Sequence, residues 1–106
     1  KFQAIQLKVA HIAAKYQSTR WMCYRLGTLA TDIKDAAQFQ AEAALLKGYA
    51  SDTAVEVAKL AMDVHASYGL TTDYPVERIY RDAIIAPQIE GVSDMQRIIF
   101  AASVLN

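Results

Sequence analysis

Apolar side chains in the first third of the chain recur at helical spacing: Phe2, Ile5, Val9, Ile12, Tyr16, Met22, Leu26 and Leu29. Intervals of three and four place them on one stripe of an amphipathic helix, interrupted by an interval of six between Tyr16 and Met22. The pattern predicts a first helix over residues 2–30. Thr31-Asp32 then opens a short connection, and Asp35 is the expected cap of the next helix, because a carboxylate can accept the unpaired N–H groups of a first turn. Phe39, Leu46, Ala50, Val57, Ala61, Val64 and Tyr68 carry the same period onward and predict a second helix over 36–67, ending near Gly69 as a left-handed cap. Many positions of this helix are alanine, the best helix former and one that permits close packing. At a rise of 1.5 Å per residue each helix would be about 45 Å long, which suits a bundle inside a larger assembly.

The second half is punctuated differently. In "LTTDYPVERIYRDA", Pro75 stands where a first helical residue belongs, behind Asp73 as its expected cap, and predicts a short helix over 75–83. Pro87 and Gly91 mark an irregular link. "SDMQ" at Ser93 to Gln96 reads as a capping box, with Ser93 as cap and Gln96 reaching back, ahead of a last helix over 94–104 on Met95, Ile98, Ile99, Ala102 and Leu105. No alternating strand pattern of useful length occurs. The predicted class is all-α, an antiparallel helical bundle with two long helices.

Composition narrows the function. A chain of 106 residues is one small domain or a piece of a larger one. Eleven basic and eleven acidic residues give a net charge of zero, which argues against nucleic-acid or membrane-surface binding driven by bulk charge. A hydrophobic fraction of 54% is high for a small soluble domain, so some apolar surface is expected to face a partner or another domain. Cys23 is the only cysteine, which excludes an internal disulfide; its apolar helical setting predicts a buried structural thiol, and a reducing compartment fits. No apolar run approaches the ~18 residues of a membrane span. The opening "KFQAIQ" starts in mid-pattern and carries no signal sequence, as a cut edge would.

Most candidate chemistry is weak. His11 and His65 stand apart in separate helices with no His or Cys at metal-ligand spacing, so no metal site is expected. Gly48, Gly69 and Gly91 are scattered and form no phosphate loop. Arg78 and Arg81 share a short helix with Glu77 and Asp82, an arrangement of ion pairs that hold a turn. Glu90 differs. It precedes a helix N-terminus, adjoins Gly91, which lets a ligand approach the backbone, and is flanked by Pro87, Ile89 and Val92. Desolvation in such an apolar gap would raise a carboxyl pKa toward general-base work, although a solvated loop acid has the same local features.

The longer stretch "HASYGLTTDYPVERIYRDAIIAPQIEGVSDMQRIIFA" resembles the end of the acyl-CoA dehydrogenase family, whose members read roughly H-G-G-Y-G, then D-Y-P-V-E-R, R-D-A-K and Y-E-G-T-S-E-I-Q-R. "FQAIQLKVAHIA" is similar to the family's F-Q-x-V-Q-F-x-L-A-D, and the likeness runs from Phe2 to Val104. The resemblance implies that residues 1–106 are part of a C-terminal helical domain lacking its first helix, within an FAD-dependent enzyme usually assembled as a tetramer. It implies a dimer or tetramer built on the helical bundle, an electron-accepting partner protein, and a place in the bacterial or archaeal cytoplasm or the mitochondrial matrix. Glu90 aligns with the base that removes the α-proton of an acyl-CoA thioester while the β-hydride passes to the flavin; Gly91 aligns beside the thioester. Phe2, Gln3, Asp63 and Ser67 align with positions that lie along the FAD of a neighbouring subunit, and Val92 and Asp94 with positions that contact the flavin. This fragment by itself is expected to be inactive and colourless.

The chain departs from the pattern at several of those places. Gly-Gly is Ala66-Ser67, Gln is Asp63, the Thr after Glu-Gly is Val92, the Tyr before Glu is Ile89, and the Lys of R-D-A-K is Ile84. Added side chains would crowd a nucleotide and Asp63 would repel a pyrophosphate. Two alternatives therefore stand beside the dehydrogenase: a structural or pairing subunit with a degraded flavin site, and an acyl-CoA oxidase-type flavoenzyme.

Overall fold

A computed structural model describes residues 2–31 and 35–105. It contains four helices, α1 (Gln3–Thr31), α2 (Ala36–His65), α3 (Val76–Ile84) and α4 (Ser93–Leu105), with a 3₁₀ turn at Ala66–Leu70 between α2 and α3. No strand occurs among the described residues, and the class is all-α as the periodicity requires. Asp32, expected in the first connection, lies outside the described residues. Asp35 caps α2 as expected: its backbone is extended (φ −133°, ψ 103°), and Oδ1 accepts the N–H groups of Ala37 at 2.9 Å and Gln38 at 3.1 Å.

The long helix α2 is the spine. α1, α3 and α4 each pack on it, whereas α1 and α4 do not pack on each other. α1 runs antiparallel to α2, as the reversed order of its ion pairs shows: Lys8–Asp63 at 3.5 Å, Lys15–Glu56 at 2.9 Å and Arg25–Glu42 at 2.8 Å. His11 adds a second bond to Glu56 at 2.7 Å. Lys15 and then His11 hold the Glu56 carboxyl below its ordinary pKa by hydrogen bonding, and Arg25 does the same for Glu42. The whole measures 49 × 27 × 25 Å, close to the ~45 Å that a 30-residue helix spans.

Packing corrects the expected stripes. On α1 the half-buried positions are Ile5, Lys8, Ile12, Lys15, Thr19, Met22, Leu26 and Leu29, an unbroken alternation of three and four. Phe2, Val9 and Tyr16 are exposed, off this line. Lys8 and Lys15 take their places by laying aliphatic stems on α2 while their ammonium groups reach Asp63 and Glu56. Cys23 also lies off the line and is exposed, contrary to the expectation of a buried thiol. On α2 the buried residues are small: Ala41, Ala44, Gly48, Ser51, Thr53 and Ala58. Small side chains let neighbouring helices approach closely, so the larger Phe39, Leu46, Val57 and Val64 become half-buried shoulders, and Tyr68 is exposed.

Three caps also differ from expectation. The positive φ falls at Ala66 (φ 50°, ψ −138°), whose N–H bonds to the Asp63 carbonyl. Gly69 is buried inside the 3₁₀ turn, where a Cβ would lie 3.0 Å from the Met62 carbonyl oxygen and 3.2 Å from His65 Cβ; glycine serves close approach there. Asp73 does not cap α3: Pro75 is the N-cap, and its carbonyl accepts the Ile79 N–H at 3.1 Å. The Ser93 capping box does not form either. The Val92 carbonyl accepts the Gln96 N–H at 3.1 Å, and the Ser93 hydroxyl donates to Asp52 Oδ1 at 3.0 Å, because a tertiary acceptor on α2 outcompetes the local one.

Candidate functional site

The link between α3 and α4 is a tight reversal. Past the end of α3, Gln88 N–H bonds to the Ile85 carbonyl at 2.9 Å, and Ser93 N–H returns to the Pro87 carbonyl at 2.9 Å, closing the loop on itself. Two successive residues inside it have positive φ: Glu90 at 53° and Gly91 at 97°. Gly91 can adopt that conformation freely, whereas any side chain at φ 97° would be strained; the Gln96 Nε2 that a Cβ would meet is the tip of a flexible side chain and can shift. Glu90 has no such freedom. A non-glycine residue held in the left-handed region is uncommon, and such residues concentrate at functional sites.

The Glu90 side chain is exposed, as are Ile89 and Val92 beside it. The apolar residues expected around it therefore form an open rim, and this chain alone does not build the desolvated gap. The nearest arginines in sequence are engaged elsewhere: Arg81 with Glu77 at 2.8 Å, and Arg97 with Asp52 and, at 2.7 Å, with Asp94. Among the described residues no cation pairs with Glu90. Asp94 is exposed and bound along its own helix to Arg97.

The other expected contact residues lie at the opposite end of α2. Antiparallel packing brings Phe2 and Gln3, at the start of α1, to the end of the molecule that holds Asp63, Ala66 and Ser67. All of them are exposed. An open groove of about 550 Å³ runs between Lys8, Lys59, Asp63, Ser67, Leu70 and Tyr80. Lys8 stands 3.5 Å from Asp63 and offsets its charge, so two ammonium groups outweigh one carboxylate. The repulsion of a pyrophosphate expected from Asp63 is thus balanced within the groove, and the groove's charge fits a phosphate-bearing cofactor. The structure does not bring these residues together with Glu90: Asp52, beside the Glu90 loop, and Asp63 stand about 16 Å apart along α2.

Sequence reading missed Lys47 and Asp52, which touch the Glu90 loop from α2, and gave Gln96 a capping role where it instead lies against Gly91. Lys47 left one legible trace, a single cation inside "AALLKGYAS" four residues before Ser51.

The chain belongs to a known family: residues 1–105 match the family profile "Acyl-CoA dehydrogenase, C-terminal domain". The mitochondrial short-chain specific acyl-CoA dehydrogenase of Bos taurus is 37% identical over 105 residues, covering 99% of this chain and 25% of that protein. The caffeyl-CoA reductase-Etf complex subunit CarC of Acetobacterium woodii is 33% identical over 104 residues, covering 98% of this chain and 27% of that protein. The structure of butyryl-CoA dehydrogenase from Megasphaera elsdenii superposes with a TM-score of 0.93 at 31% identity, over 100% of this chain and 27% of that one. The chain thus spans about a quarter of the length of the relatives it matches.

Proposed function

We propose that the chain is part of the C-terminal helical domain of an FAD-dependent acyl-CoA dehydrogenase in which Glu90 is the base. The observation that carries this reading is the Glu90 carboxylate, free of any cation among the described residues and held at φ 53° beside a glycine. An α-C–H bond next to a thioester carbonyl is a weak acid, and a carboxylate held in fixed register removes that proton with little reorganisation. Gly91, without a side chain, leaves the backbone next to the base open for the thioester. Ile89 and Val92 offer apolar contact to an acyl chain, and a partner surface closing over this rim would exclude water from the acid. The same carboxylate returns the proton to the α-carbon in the reverse direction, which is the direction named for the Acetobacterium woodii relative.

FAD, when bound, supplies the acceptor for the hydrogen leaving the β-carbon. From this chain Val92 and Asp94 would hold it beside the base, while Phe2, Gln3, Asp63 and Ser67 at the other end would hold the FAD of a neighbouring subunit, with Lys8 and Lys59 supplying the positive charge its phosphates require. An electron-transferring protein is the proposed redox partner, in line with the complex named for that relative. The exposed Phe2, just ahead of α1, and Leu7, Tyr16 and Trp21 on it supply apolar surface for a dimer or tetramer through the bundle.

The test is Glu90→Gln in the full-length protein. Acyl-CoA should then reduce the bound flavin roughly 10²–10⁴-fold more slowly, the usual contribution of a general base, with FAD still bound. An unchanged rate would sink the proposal. A second reading is favoured by Ala66, whose Cβ occupies a position where the family pattern has glycine: a pairing subunit whose flavin site is degraded. One FAD per chain in the purified protein would refute that reading. Oxygen consumption during turnover would instead mark an oxidase.

A further inference from the structure

Two positions on α2 that the proposed chemistry does not use grip the Glu90 loop from both ends. The half-buried Lys47 ammonium donates to the Ala86 carbonyl at 2.8 Å and to the Ser51 hydroxyl at 2.7 Å. Ala86 lies just past the end of α3, where backbone carbonyls have lost their helical partners, so the ammonium satisfies an acceptor that would otherwise be orphaned. At the other end Ser93, only 4% exposed, donates its hydroxyl to Asp52 at 3.0 Å, and Arg97 binds the same carboxylate. Lys47 and Asp52 are separated by about 7.5 Å along the helix. Everything between Ala86 and Ser93 is therefore a closed loop pinned at two nearby points, with the Gln96 side chain filling the space over Gly91. A glutamate at φ 53° persists only where its surroundings over-determine it, and these contacts are what over-determines it.

We infer that Lys47 is a positioning residue for Glu90. Its ammonium fixes the Ala86 carbonyl and so sets where the Glu90 carboxylate stands, with the Asp52–Ser93 bond as the second anchor. The inference rests on the reading of Glu90 as the base. Lysine suits the task because its long stem packs along α2 while a compact cation with several donors engages two oxygens at once. Methionine keeps a stem of similar length and removes the donors.

The experiment compares Lys47→Met with the wild type in the full-length holoenzyme, using butyryl-CoA and its α-dideuterated form. A base displaced by about 1 Å costs on the order of 10²-fold in kcat, with KM little changed. The α-deuterium isotope effect on kcat should rise, because proton removal becomes slower than the steps around it. Amide hydrogen exchange should accelerate in 86–92 and stay unchanged in α1. A residue needed only for folding would reduce the amount of active protein and leave the isotope effect where it was. Ser93→Ala, which removes only the hydroxyl bond to Asp52, should raise both readouts in the same direction and serves if Lys47→Met does not fold.

A wild-type isotope effect together with unchanged exchange over 86–92 would overturn the inference. The failure of the base reading looks different: Glu90→Gln would then keep the wild-type rate. The positioning of a base by Lys47 would fall with it, while faster exchange over 86–92 in Lys47→Met would still uphold the two-point anchoring.

Discussion

Replacing Ala66 with glycine should stabilise the chain, even though glycine is the poorer residue inside a helix. Ala66 sits at φ 50°, ψ −138°, a region in which an L side chain clashes with its own backbone. Holding a non-glycine residue there costs about 1–3 kcal/mol. The side chain contributes no packing to offset that cost, since Ala66 is exposed. Its N–H bond to the Asp63 carbonyl belongs to the backbone and survives the change. Against the relief stands the greater freedom of glycine in the unfolded chain, about 0.4–1 kcal/mol. Taking about 2 kcal/mol for the strain leaves a net gain of roughly 1 kcal/mol. With a urea dependence of about 1–3 kcal/mol per molar, the unfolding midpoint followed by helical circular dichroism should rise by roughly 0.3–1 M. The control is Ala54→Gly, at an exposed position in the interior of α2, where the same substitution should lose about 1 kcal/mol. Opposite signs for the two variants establish the strain. If both midpoints fall alike, Ala66 is not strained and the reasoning fails.

Two further outcomes follow from other contacts. Glu56 has its pKa lowered by Lys15 and His11, so its contribution to stability is present above its ordinary value of 4.5 and is lost as pH falls through the depressed folded value. Glu56→Gln should therefore lower the neutral-pH urea midpoint slightly and flatten its decline in acid; an acid limb as steep as the wild type's would refute the assignment. Gly91→Ala places a Cβ against Gln96 Nε2 at φ 97° and should both destabilise α4's first turn and abolish flavin reduction by acyl-CoA. Adding Gln96→Ala removes the collision but leaves the φ cost, so stability should recover only in part; full recovery would mean that the backbone at Gly91 tolerates a side chain.

Long-range periodicity and one cap were legible in the residues themselves. The lengths of α1, α3 and α4 fall where the pattern puts them, and Asp35 caps α2, because these depend on neighbours within one or two turns. The readings that failed depend on partners far along the chain. Ser93 looks like a local cap, but its hydroxyl finds Asp52, 41 positions away. Gly69 looks like a left-handed terminator, and the strain sits at Ala66, where no propensity rule would put it. Cys23 looks buried because its neighbours are apolar, whereas α1 turns only its three-four line toward α2. For the site, local features raised Glu90 above the other acids; the motif around it carried the rest. Its strained φ and the Lys47 anchor needed the coordinates, since neither is encoded by residues adjacent to Glu90.

The single spine has a consequence for how such a chain changes over generations. The Glu90 loop and the Ala66-Ser67 turn attach to α2 about 20 Å apart, and α1 and α4, which carry their flanking residues, do not pack on each other. Besides α2, α3 joins the two ends, since it packs on the Ala66–Leu70 turn and runs into the Glu90 loop; substitutions off these two helices need no compensation at the other end, because additivity holds for sites without shared contacts. Each end can drift at its own rate. A lineage can keep its acid while it remodels the glycine pair, and the two ends record separate histories on one helix.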